Sequence, residues 1–190
     1  MAPTASTKTR PTIHEFDLIR ALHRRHGRRT ASVIQGIGDD AAVITSRAGQ
    51  WTILTTDILT EGVHFDLRTA TIADIGFRTA VANLSDIAAM GGTPQYLLVA
   101  LAIPRTGTRH QVLQLYRGMM AACRPHQVGL IGGDTSASSG GWFLSVTLIG
   151  MVPPRKALLR SGARIGDLLY VTGTIGDALA GLRLLNEPPP

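Results

Sequence analysis

The sequence predicts an α+β domain, a mixed or antiparallel sheet covered by helices, and three observations carry that prediction. Short apolar or β-branched runs alternate with longer segments whose apolar residues recur at helical spacing. The longer segments open on capping boxes, a Thr followed three residues later by Asp, Glu or Gln. A length of 190 residues with 44% hydrophobic content is enough to bury a substantial core.

In chain order, residues 1–12 are polar and read as a disordered tail. Thr12 with Glu15 opens a helix whose stripe is Ile13, Phe16, Ile19 and Leu22, ending near Gly27. Short strands follow at 33–34, 42–45 and 51–55, the last two joined by a turn through 47–50, and 57–66 is a loop. A helix runs from Ile72 to Met90, capped by Thr71 and Asp74 and stopped by Gly91, Gly92 and Pro94. The apolar run 96–103, closed by Pro104, is a buried strand, and Thr108 with Gln111 caps a helix reaching about Cys123. Residues 128–131 form a strand entering Gly132-Gly133-Asp134-Thr135, 136–141 a flexible tip, and 142–152 a long strand. Pro153-Pro154 marks a boundary. The core domain therefore spans 13–152. Residues 153–190 read as a linker with the first strand, 168–172, and helix, 177–185, of an incomplete C-terminal domain, because one strand and one helix bury no core of their own.

Composition narrows the function. No apolar run approaches the ~20 residues of a spanning helix and the first dozen residues lack a secretory apolar core, so the cytoplasm is the expected location. One cysteine, Cys123, excludes an internal disulfide framework and a multi-cysteine metal site. The formal charge is +6, with seven of the 19 bases in the first 29 residues. A nucleic-acid footprint would need aromatic interleaving or a glycine-arginine repeat, neither of which is present, so a solvated helix face is the better reading. His23 and His26 are rejected as a metal pair because Arg24 and Arg25 would repel a cation.

The chemistry is in the acids. Asp86 sits in a helix among Ala82, Leu84, Ile87, Ala88, Ala89 and Met90, and a lone carboxylate buried there must be paired, hydrogen-bonded or bound to a cation. Asn83, one turn earlier, faces the same way. A helix restart with Asn83 as N-cap would explain Asp86 alone, but Asp40, Asp57 and Asp134 each follow an apolar run, and a sheet that gathers them above the helix makes a four-carboxylate cleft. Such a cluster needs metal. Carboxylates with threonine oxygens and no thiols favour Mg²⁺, which bridges substrate phosphates, so the implied chemistry is phosphoryl transfer. Gly36-Ile-Gly-Asp-Asp-Ala41 fits a dinucleotide fingerprint by its letters but opens no helix. With two lysines and no phosphate-binding loop of the GxxxxGK type, charge neutralisation falls to metal and arginine.

Gly-Ile-Gly-Asp-Asp at 36–40, Thr-Thr-Asp at 55–57, Glu-Gly-Val-His-Phe at 61–65, Asn-Leu-Ser-Asp-Ile-Ala-Ala-Met-Gly at 83–91, Gly-Gly-Asp-Thr at 132–135 and Leu-Arg-Ser-Gly-Ala at 159–163 closely resemble thiamine-monophosphate kinases. These belong to the superfamily of aminoimidazole ribonucleotide synthetase and selenophosphate synthetase. The resemblance implies that superfamily's N-terminal fold, ATP-dependent phosphorylation of thiamine monophosphate to thiamine diphosphate, and a homodimer formed through this domain. It implies Mg²⁺ ligands at Asp40, Thr55, Thr56, Asp57, Asp86 and Asp134, ATP contacts at Gly133, Asp134 and Arg160, and a substrate contact at His64. The acceptor phosphate is already ionised near neutrality, so no general base is nominated. Two other readings stay open: a superfamily enzyme with a different acceptor, and a non-catalytic chain that dimerises or binds nucleotide. A later Asp-Leu-Ser-Asp-Gly motif and a tryptophan of the family are missing, which implies impaired activity for this chain alone.

Overall fold

The computed structural model describes residues 19–20, 23–24, 32–45 and 49–186. The expected tail, most of the expected first helix and residues 47 and 48 of the expected turn lie outside them; Ile19, Arg20, His23 and Arg24 are helical. The elements in order are β1 (Val33–Gln35), β2 (Ala42–Thr45), β3 (Trp51–Thr60), α1 (Ile72–Ala89), β4 (Thr93–Pro104), α2 (Arg109–Cys123), β5 (Gly129–Ser138), β6 (Phe143–Val152) and α3 (Asp177–Asn186). Six strands form one mixed sheet in the order β1-β2-β3-β6-β4-β5, antiparallel except for the parallel pair β4 and β5.

Both helix starts form as capping boxes. Thr71 accepts from the Asp74 N–H while Asp74 accepts from Thr71, and Thr108 and Gln111 do the same. Asn83 starts no new helix, because α1 is continuous through it. The two helices meet at a pair of glycines. A Cβ on Gly118 would lie 1.8 Å from the Ala73 carbonyl oxygen, and one on Gly76 would lie 1.9 Å from that of Leu115, so only hydrogen fits at the crossing.

Alternation along the strands separates two sheet faces. Ile53, Leu97, Val99, Leu144, Val146 and Leu148 point to the helices and are fully buried, and with Ile75, Ile87, Leu115 and Met119 they make the core. The other face carries no helix among the described residues, and Ile58, Tyr96 and Phe143 on it are 51%, 45% and 37% exposed.

Three boundaries differ from the sequence reading. β3 continues through Thr-Thr-Asp to Thr60 because β6 pairs with it along its whole length, so Asp57 lies within a strand rather than in a loop. β5 likewise runs through Gly-Gly-Asp-Thr, held by β4. The expected strand at 168–172 does not form. No described strand lies beside it to pair with, and Leu168, Leu169, Tyr170 and Val171 are 75%, 101%, 87% and 64% exposed.

Candidate functional site

The acids converge where α1 crosses β3. Thr55 and Asp57, two apart in β3, point to the helix face; Asp86, one turn before the end of α1, meets them there. Thr55 Oγ1 donates to Asp86 Oδ2 at 2.6 Å and lies 3.4 Å from the Asp40 carbonyl oxygen, which ties the segment before β2 to the same place. Burial is the main reason that the Asp86 carboxyl is held above its ordinary 3.8; the Thr55 hydrogen bond opposes the shift, Asp40 adds to it and Arg160 opposes it. Asp57 is also raised, first by burial and then by Asp86, with His64 pulling the other way. Asp40, Asp57 and Asp86 therefore share one electrostatic environment.

A positive group has joined them. Arg160, in a single helical turn at Arg160–Gly162, donates from Nη2 to Asp40 Oδ1, and its Nε lies 3.8 Å from Asp39 Oδ1. Asp39 also accepts the backbone N–H groups of Arg160 at 3.2 Å and of Asp40 at 3.0 Å, and its side chain is only 4% exposed. Sequence reasoning did not single out Asp39. The only signal was its place beside Asp40.

Not every expected residue joins the cluster. Thr56 is on the uncovered face, its hydroxyl donating to the Val146 carbonyl at 3.0 Å and accepting from Thr147 at 3.2 Å. Asp57, Val146, Val99 and Gly133 form one row across the sheet, so Gly133 is three strands from Asp57, about 14 Å at ~4.8 Å per strand. Asp134, the next residue, falls by register on the opposite face. It is exposed, and its Oδ1 accepts the Thr135 N–H at 2.8 Å. Gly133 has φ of 151°, and a Cβ there would stand 1.9 Å from the Val99 carbonyl oxygen, so its glycine is required by the approach of β5 to β4.

His64 acts on Asp57 as a neighbouring charge. The loop that carries it is pinned by Glu61, whose N–H donates to the Trp142 carbonyl and whose Oε2 accepts the Trp142 N–H, both at 2.9 Å. His64 Nδ1 accepts the Thr60 N–H at 3.0 Å, which leaves Nε2 as the donor in the neutral ring. Arg78 Nη1 donates to the His64 carbonyl at 2.6 Å. Both side chains line a cavity of about 780 Å³ between this loop and α3, with Phe65, Arg68, Leu182 and Asn186.

Among the described residues, no three acids stand close enough to enclose one ion as placed. The donor set nevertheless fits a hard divalent cation: carboxylate oxygens, with Asp57 and Asp86 raised first by burial and then by a neighbouring acid, and no sulfur among them. One turn before Asp86, Asn83 is fully buried and its Oδ1 has no partner, an oxygen of the kind that such an ion or its water takes up.

The six-stranded mixed sheet, with α1 and α2 on one face and acids gathered at the β3–α1 contact, defines an α+β class with a charged site on its helix face. Residues 38–152 match the family described as AIR synthase related protein, N-terminal domain, and the chain belongs to that family. A thiamine-monophosphate kinase of Bacillus subtilis (strain 168) is 42% identical over 173 residues, covering 91% of this chain and 53% of that protein. The thiamine-monophosphate kinase of Synechococcus elongatus is 44% identical over 151 residues, 79% of this chain and 46% of that one. In structure the chain is similar to AaThiL complexed with AMPPCP and TMP, with a TM-score of 0.81 at 34% identity over 95% of this chain and 58% of that one. The chain thus spans about half the length of these relatives.

Proposed function

We propose that this chain carries the nucleotide and metal side of a thiamine-monophosphate kinase, transferring the terminal phosphoryl group of ATP to the phosphate of thiamine monophosphate. The carrying observation is that Asp40, Asp57 and Asp86, from three distant segments, interact with one another through Thr55 and their charges, with His64 beside Asp57. The kinship with thiamine-monophosphate kinases supports the choice of substrates. Asp40, Asp57 and Asp86, with Thr55, would hold Mg²⁺, which when bound neutralises phosphate charge during transfer. Arg160 and the Gly133–Asp134 segment contact ATP, and His64 presents Nε2–H to thiamine monophosphate in the adjoining cavity. The acceptor oxygen is already ionised, so catalysis is alignment and charge stabilisation, and no residue abstracts a proton.

The uncovered face, with Ile58, Tyr96 and Phe143 exposed on it, supports a homodimer through this sheet. We place the protein in the cytoplasm; no helix among the described residues is long and apolar enough to cross a membrane.

The test is thiamine diphosphate formation from ATP and thiamine monophosphate. Mg²⁺-dependent product supports the proposal. Mg²⁺-dependent nucleotide binding without product supports a non-catalytic binding chain instead, and product only with another phosphate acceptor points to a different superfamily activity.

A further inference from the structure

Two neighbouring acids hold Arg160 in different ways. Asp39 is nearly buried, and its carboxylate is committed to two backbone N–H groups, those of Asp40 and Arg160, with the Arg160 Nε 3.8 Å away. Asp40 is 30% exposed at its side chain and receives only the far end of the guanidinium, while the arginine side chain is 56% exposed. The Asp39 contact fixes the backbone at residue 160, and the Asp40 contact can be broken by rotating a solvated side chain. Asp40 is also the acid that connects this pair to Asp86 and Thr55.

We propose that Arg160 is a resident counter-cation on Asp40 that a divalent ion must displace, and that Asp39 is the positioning residue which keeps Arg160 at the cleft once displaced. The displaced guanidinium stays within a side-chain length of the metal, free to pair with a phosphate oxygen. Metal entry and arginine transfer to the nucleotide are then one exchange: the nucleotide takes up the charge that the metal evicts, and each favours the other. This rests on the metal site proposed above.

The exchange is read by titrating Mn²⁺ into the nucleotide-free protein, which requires no turnover. Arg160→Gln should bind Mn²⁺ about three- to fivefold more tightly than the unmodified chain, the worth of an exposed ion pair. Arg164→Gln removes the same charge from the same connector without touching Asp40, and should leave the affinity unchanged. Equal or weaker Mn²⁺ binding by Arg160→Gln, or the same gain in Arg164→Gln, overturns the exchange while leaving the metal site standing. Absence of Mn²⁺ binding in every form overturns the metal site and the exchange together. For Asp39, affinity for AMPPCP with Mg²⁺ should fall by similar factors in Asp39→Asn and Arg160→Gln, with no further loss in the double variant. Additive losses would overturn the anchoring role, and matched thermal melting of the variants excludes misfolding as the cause.

Discussion

At the scale of residues, the cleft is defined by charges placed against their own preference. Burial first, and then a neighbouring acid, Asp86 for Asp57 and Asp40 for Asp86, holds both carboxyls above the ordinary 3.8. A carboxyl whose pKa is higher folded than unfolded binds its proton more tightly in the native state. Its contribution to stability is therefore fully present below the unfolded value and is lost as pH rises through the folded one. A divalent cation binds only the ionised forms, so its affinity should rise over that same acidic window, with protons released on binding. Titrations in two buffers of different ionisation enthalpy measure that release directly. It should be largest on the acid side and fade towards neutrality; a metal affinity flat across the window would mean that these two acids are not ligands. Asp86 was legible in the sequence because an acid within an apolar helix needs a reason. Asp39 was not, since its role depends on a backbone 121 residues away that no local pattern reveals.

At the scale of elements, the position of α1 over β3 decides whether the acids meet, and the glycine contact with α2 sets it. Replacing Gly118 with alanine gains up to about 1 kcal/mol of helix propensity, yet the methyl group would meet the Ala73 backbone at 1.8 Å. Backbone does not rotate away as a side chain can, so overpacking of about 1–3 kcal/mol prevails. Gly118→Ala should therefore melt earlier and bind metal less well, and a melting temperature at or above that of the unmodified chain would show that the helices are not seated on each other this way. Capping residues made α1, α2 and their starts readable from sequence. The lengths of β3 and β5 were not readable, because polar Thr-Thr-Asp and glycine-rich Gly-Gly-Asp-Thr are held extended by strands 90 or 30 residues away rather than by their own propensity. The same dependence accounts for residues 168–172, which have β-branched and aromatic character but no neighbouring strand.

At the scale of the whole molecule, one sheet face is packed under helices and the other is open, and the acids divide between them. Asp40, Asp57 and Asp86 belong to the helix side and Asp134 to the open side. That division was not legible from the residues alone, since strand parity is lost wherever a strand is misread as a loop. A homodimer through the open face should sediment at twice the 20.2 kDa chain mass, and Ile58→Lys, placing a charge at its exposed centre, should shift the mass towards one chain. A mass of one chain at all concentrations would remove the dimer. The most direct test of the cleft itself is calorimetric titration of AMPPCP into the unmodified chain and into Asp86→Asn, with and without Mg²⁺. Mg²⁺-dependent binding that Asp86→Asn abolishes, with thermal melting unchanged, is expected. Equal affinity in the two proteins would contradict it.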